Sequence, residues 1–190
     1  AVKFPGMFRD MAVPLIIRAP CGGRRGYGPT HSQSPEHLLT SVPGLTVVYG
    51  SHRHDMSRLL IDATLRWPYP VVFLEHKLLY GETQDRADYR ELPANADELA
   101  ARLFPTLVRG GEAPDLTLVT YGGMLPVVEA AARAVATFES GACEPGIEVT
   151  YPGRGFSGLE AGDGNTVEKF EDSFVRVEMF ACFHGTDVPA

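Results

Sequence analysis

Cysteine is scarce in this 190-residue chain: Cys21, Cys143 and Cys182 are the only three. An odd count without metal-type spacing argues against a disulfide framework, and a reducing cytoplasm is the compartment that fits. Basic side chains are also in short supply. Seventeen Lys and Arg stand against 24 Asp and Glu, a formal charge of −7 that argues against general nucleic-acid binding. No run approaches the roughly 20 apolar residues that span a bilayer, and the N-terminus has no signal-peptide core, so no membrane association is expected. There is no internal repeat at a fixed period. Ser32 has a histidine beside it but no G-x-S-x-G elbow, which leaves a hydrolase without its nucleophile motif.

What is present is a chain 44% hydrophobic, enough for one large domain or two small ones. Its most informative stretch is CGGRRGYGPTHSQS at 21–34. Glycine turns, Arg24, Arg25 and His31 leave a β-branched apolar run, Val13 to Arg18, that reads as a core strand of a parallel sheet. Such a loop binds anions or handles protons, because its backbone folds around a ligand and an imidazole titrates near neutrality, at about pH 6.5. Leu45–Val48 and Val71–Leu74 read as further strands. Met56–Arg66 reads as a helix with Met56, Leu59, Leu60 and Ala63 on one face, started by Asp55 or Ser51. A charged, Pro- and Gly-punctuated stretch at 82–114 reads as a linker with one short helix near Asp97–Leu103. Leu116–Val119, Met124–Phe138 and Ile147–Val149 then form a β-α-β unit. Alternating strands and helices call for an α/β fold with mostly parallel sheets flanked by helices.

The order of these motifs carries a resemblance. Strand, THSQS loop, VPGL at 42–45, helix and PVVFLEHKLLYG at 70–81 run from about residue 13 to 81 without a gap. In this they resemble the β subunit of the E1 component of thiamine-diphosphate-dependent 2-oxoacid dehydrogenases, with its transketolase-like pyrimidine domain. DLTLVTYGGMLPVVEAAARAV at 115–135 resembles the opening of that family's C-terminal transketolase domain, and FVRVEMFACFHGTDVPA its last strand and tail. The resemblance implies a partial pyrimidine-binding-like domain at 1–81, a linker at 82–114 and a shortened transketolase C-terminal-like domain at 115–190. The family's glutamate that bonds the cofactor's aminopyrimidine has no counterpart here, and YPGRGFSGLEAGDGNTVEKFED at 151–172 replaces an expected strand and helix. A fragment, a shortened subunit or a decayed relative is expected.

By motif position the resemblance makes His31 the proton-handling residue in acyl transfer to a lipoyl group. It also implies a monovalent cation, potassium, near the glycine loop and the helix end, among the backbone carbonyls of Leu15, Thr64, Leu65, Trp67 and Tyr69; Pro68 perturbs that helix exit. The implied cofactor is thiamine diphosphate with Mg²⁺, shared with or held by an α-type E1 subunit, since Gly162-Asp163-Gly164-Asn165 lacks the context of a magnesium-diphosphate motif. A lipoyl-bearing acyltransferase is the further partner, and an oligomer is expected. The function implied is assistance to decarboxylation of a 2-oxo acid and acyl transfer. The alternative is a catalytically incomplete remnant acting as an assembly or regulatory module; a stand-alone acyltransferase using His31 lacks a nucleophile motif.

Other candidates have plainer readings. His52, His54 and Asp55 hold donors close together, but residues two apart do not share a helix face, so a metal site needs an extended segment. Glu75 and His76 alternate along a strand and are expected to face different ways. His37 and His184 read as surface or satisfied core residues, and Cys21 as an unactivated buried thiol.

Overall fold

The computed structural model describes residues 2–9, 11–92, 99–112, 114, 116–139 and 175–184. Four strands set its centre, two of them opening on or holding paired valines. β1 (Ile16–Cys21), β2 (Thr46–Val48) and β3 (Val71–His76) pair in parallel around β3, and β8 (Cys182–His184) adds antiparallel to β2, giving the order β1-β3-β2-β8. Val71, Val72, Phe73 and Leu74 are buried because both sheet faces are covered. On one face α3 (Met56–Leu65) lays Leu59 and Ala63 against Val48, Val71 and Phe73, with Trp67 closing the end. On the other, Leu39 of α2 (Glu36–Thr40) packs against a cluster holding Val47, Tyr49, Val72 and Leu74. The indole N–H of Trp67 donates to Thr46 Oγ1 at 2.8 Å, so the one buried polar group of the indole is satisfied.

α3 begins where its sequence says: the Asp55 carboxylate accepts from the Arg58 N–H at 2.9 Å, an N-cap bond. β1 departs from expectation. It starts three residues later than the apolar run and lies at the sheet edge rather than in the core, with Leu15 and Ile17 43% and 50% exposed. Apolar composition suits either position; here Pro20, which has no N–H to donate, is harmless on an outer strand.

The second sheet has the order β4-β5-β7-β6, from β4 (Arg90–Glu91), β5 (Leu107–Arg109), β6 (Leu116–Tyr121) and β7 (Val175–Phe180). β6 and β7 are parallel, and β4–β5 and β5–β7 antiparallel. Leu125, Val128 and Ala132 of α5 (Leu125–Glu139) cover it, around Tyr89, Leu107 and Val177. Residues 82–114 thus contain β4, α4 (Leu99–Leu103) and β5, and Leu103 and Phe104 join the core under α3. Charge and proline at the flanks mask these apolar residues in the sequence. A part-buried ion pair ties α5 to the loop after β2: Arg53 Nε donates to Glu129 Oε1 at 3.0 Å, and the same guanidinium reaches the Asp85 carbonyl at 3.0 Å. The fold is α/β, with helices flanking both sheets. The expected strand Ile147–Val149 and the Gly162–Asn165 string lie outside the described residues.

Candidate functional site

Parallel pairing puts the carboxyl ends of β1, β2 and β3 on one edge of the first sheet, and the segments that leave them meet there. Crevices at such edges are where open α/β sheets take ligands. The loop after β1 closes on itself: the Gly22 N–H donates to the Gln33 carbonyl at 2.8 Å. Gly22 has φ +82, and a Cβ there would sit 2.2 Å from the His76 ring, so the neck requires glycine twice over. Residues 24–31 are exposed throughout, including Arg24, which holds a left-handed φ of 68 without being glycine. His31 ends a short 3₁₀ turn, Pro29–His31, and is exposed.

The exit of β3 grips this loop. Lys77 Nζ donates to the His31 carbonyl and lies 5.3 Å from the centre of the Tyr27 ring, while Arg25 donates to the Lys77 carbonyl at 3.0 Å. Arg25 directs one guanidinium nitrogen to that carbonyl and is otherwise exposed.

Beneath the loop, His76 fills a slot between two glycines from distant parts of the chain. A Cβ on Gly123, in the turn before α5, would come within 2.3 Å of the same ring. Tyr49 stacks near-parallel to it, centroids 6.4 Å apart. His76 Nδ1 accepts from the Leu78 N–H at 3.3 Å, and burial pushes its pKa below the usual 6.5, with Glu36 opposing the shift. Cys21 is buried alongside; burial raises its thiol pKa and the Tyr49 hydrogen bond only partly opposes this. Among the described residues, Glu36 Oε2 is buried here without a hydrogen-bond partner.

A cleft of about 430 Å³ opens on the same edge, on the α3 face, with Phe73, Leu60 and Met56 among its apolar lining. Arg18 donates to Glu75 Oε1 from two nitrogens at 2.8 and 2.6 Å, and the Tyr80 hydroxyl donates to Glu75 Oε2 at 2.9 Å. Both carboxylate oxygens are therefore engaged. Glu75 and His76 both border this cleft, where β3 ends and the chain turns into a 3₁₀ segment, Lys77–Gly81, while the His76 ring itself packs against Gly22, Gly123 and Tyr49. His52 lines the cleft too, and burial first, then the Arg53 charge, lowers its pKa.

His54 belongs to the core. Its Nδ1 accepts from the Ser51 N–H at 3.2 Å, its Nε2 side meets the Pro105 carbonyl at 3.3 Å, and burial lowers its pKa to about 4 despite that second bond. With Asp55 capping α3, the His52–His54–Asp55 trio does not gather, and no group of three or more metal-ligating side chains occurs among the described residues. His37 is exposed, its Nδ1 3.3 Å from the Ser34 carbonyl; the backbone of His184 pairs with Thr46.

The five residues of the expected cation ring lie at the opposite, amino edge of the sheet, a strand's length from His31. The Leu15 carbonyl accepts the Val71 N–H at 2.8 Å, at the entry of β3. Thr64 and Leu65 form the last turn of α3, where helix carbonyls lose their intrahelical partners. The Trp67 N–H returns to the Asp62 carbonyl at 3.2 Å, and Tyr69 meets the Trp67 ring edge-on at 5.5 Å. His31 and this ring are therefore separate places. Lys77, His76 and Tyr49 were not singled out as site residues by the sequence; the available signal was that Glu75-His76-Lys77 directly follows a fully apolar strand.

Residues 8–83 match the family model described as transketolase, pyrimidine binding domain. The β subunit of 2-oxoisovalerate dehydrogenase from Pseudomonas aeruginosa is 39% identical over 133 residues, 65% of this chain and 37% of that protein. The β subunit of the pyruvate dehydrogenase E1 component from Acholeplasma laidlawii is 37% identical over 126 residues, 66% of this chain and 36% of its own. The chain thus spans little more than a third of these relatives. A solved transketolase from Leishmania mexicana aligns over 85% of this chain and 18% of its own, at 16% identity and a TM-score of 0.47.

Proposed function

Because residues 8–83 belong to the transketolase pyrimidine-binding domain family and the chain is related to E1 β subunits, we propose that it acts as a β-type subunit of a thiamine-diphosphate-dependent 2-oxoacid dehydrogenase. The observation that carries this reading is His31, exposed on a closed glycine loop at the carboxyl edge of a parallel sheet. Bound thiamine diphosphate supplies the carbanion chemistry. His31 gives and takes a proton at an imidazole nitrogen during acyl transfer to a lipoyl acceptor, and its loop keeps the ring at the surface where a tethered acyl carrier can reach it. Glu75, held by Arg18 and Tyr80, is one of the carboxylates of the adjacent cleft. The reading gives Mg²⁺ and the diphosphate to an α-type partner in a cytoplasmic hetero-oligomer. The carbonyls of Leu15, Thr64, Leu65, Trp67 and Tyr69 are the proposed potassium ligands; the Leu15 oxygen keeps a lone pair beyond its bond to Val71. On this reading residues 115–190 form the shortened transketolase C-terminal-like domain.

The test is His31→Ala in a complex reconstituted with the α-type partner. Acyl transfer should slow by roughly 10²–10⁴-fold, decarboxylation followed with an artificial electron acceptor should suffer less, and the melting temperature should hold. Equal loss of both activities with a lowered melting temperature would make His31 a structural anchor. The second reading, an assembly module, draws on exposed apolar side chains: Leu15 and Ile17 at the start of the outer strand, and Phe4 and Phe8 of α1 (Phe4–Arg9). Wild-type complex inactive in both assays would favour it.

A further inference from the structure

The loop that presents His31 has no apolar anchor of its own. Every residue from 24 to 31 is exposed, Tyr27 at 56%, and Arg24 stands at positive φ, a strained conformation for a residue with a side chain. Hydrophobic burial therefore does not order this segment, and the Gly22–Gln33 bond fixes only its neck. The contacts that hold the tip converge on one residue, Lys77, two through its side chain and one, from Arg25, through its backbone carbonyl. Lys77 donates to the His31 carbonyl, places its ammonium over the Tyr27 ring, and offers its own carbonyl to Arg25. Its three contacts reach residues 25, 27 and 31, which spread across the tip. Lys77 itself leaves β3, the central and most buried strand, so its base is fixed where the loop is not.

We propose that Lys77 is a positioning residue for His31: it latches the glycine loop to the end of β3 and so fixes where the imidazole is presented. The inference rests on the reading of His31 as the proton carrier, but its structural half is separable from that reading. Each contact is individually modest, because hydrogen bonds and cation–π pairs at exposed sites contribute little. A loop with no buried side chains sits at the low-stability end of the molecule, where losing two such contacts is enough to open it. Arginine at 77 keeps both interactions, since a guanidinium donates to a carbonyl and stacks on an aromatic face; methionine keeps the stem and loses both.

The experiment compares wild type, Lys77→Met and Lys77→Arg as full chains by hydrogen–deuterium exchange. In Lys77→Met, amides of residues 24–33 should exchange roughly ten-fold faster, those of β2, β3 and α3 at the wild-type rate, and Lys77→Arg should restore protection. Unchanged exchange at 24–33 in Lys77→Met overturns the proposal, as does loosening that spreads through β3. In the reconstituted complex, Lys77→Met should lower kcat for acyl transfer by roughly 10–100-fold with KM for the 2-oxo acid unchanged and with recovery in Lys77→Arg. A loosened loop with a full acyl-transfer rate would leave the latch standing as the loop's support and bring down His31 as the proton carrier.

Discussion

His54 and His31 lie in the segments that follow β2 and β1, the two strands flanking β3, and they live under opposite rules. His54 is shut in the core with both ring nitrogens engaged by Ser51 and Pro105. His31 is open to water on a loop that buries almost nothing. The same imidazole is in one case a packing element held in the core and in the other a ring presented to solvent. Surroundings, not residue type, make the assignment, and a substitution at each position should therefore damage a different property.

Removing the buried ring has the largest expected effect on stability. His54→Ala leaves a cavity and orphans the Ser51 N–H and the Pro105 carbonyl, so unfolding free energy should fall by roughly 3–5 kcal/mol in urea titrations. His31→Ala, by contrast, should stay within about 0.5 kcal/mol of wild type. Comparable losses at both sites would erase the distinction.

Acid sharpens it next. The folded chain holds His54 at a pKa of about 4 against 6.5 for the free group, because burial disfavours the cation and protonated Nδ1 could no longer accept the Ser51 N–H. The unfolded chain therefore binds the extra proton first. Stability contributed by the neutral ring is whole above pH 6.5 and is lost as pH falls from there to about 4, a loss of roughly 3 kcal/mol from this residue. His54→Gln, scanned from pH 7 to pH 4 beside wild type, should show a flatter decline; parallel curves would show that the acid sensitivity lies elsewhere.

A smaller cost than at His54 is expected in the slot beneath the His31 loop. Gly123→Ala puts a methyl into the slot occupied by the His76 ring, which is already confined by Gly22 and Tyr49. A cost of about 1–3 kcal/mol should follow, with altered near-ultraviolet circular dichroism as Tyr49 and Tyr121 shift. An unchanged melting curve would mean the ring has room to turn away.

How much of this was readable from sequence depends on how local the cause is. Strand β3 and helix α3 emerge almost at their predicted bounds, because period and capping are written in adjacent residues: VVFL for the one, Asp55 followed by Met56, Leu59, Leu60 and Ala63 for the other. β4, β5 and β8 are two or three residues long and exist through partners far along the chain, so no local pattern marks them. β1 was legible as a strand but not as an edge, since Ile16 and Ile17 read alike in either position. At the site, the glycines and His31 stood out within one loop. Lys77, His76 and Tyr49 matter through the meeting of segments after β1, β2 and β3 with the Gly122–Gly123 turn, a fact that only the topology supplies.

The antiparallel strand β8 bears on how the chain is made. Residues 182–184 complete a sheet whose other members end at residue 76, and they cover the flank of β2 where Thr46, Val47 and Val48 are fully buried. During synthesis the first sheet waits, with that flank bare, until the late residues leave the ribosome. Pairings of such long sequence separation form slowly and leave unpaired strand edges open to aggregation in the interval. A cut between the two sheets would make that interval permanent, so the two halves of this molecule are to be expressed as one chain or not at all.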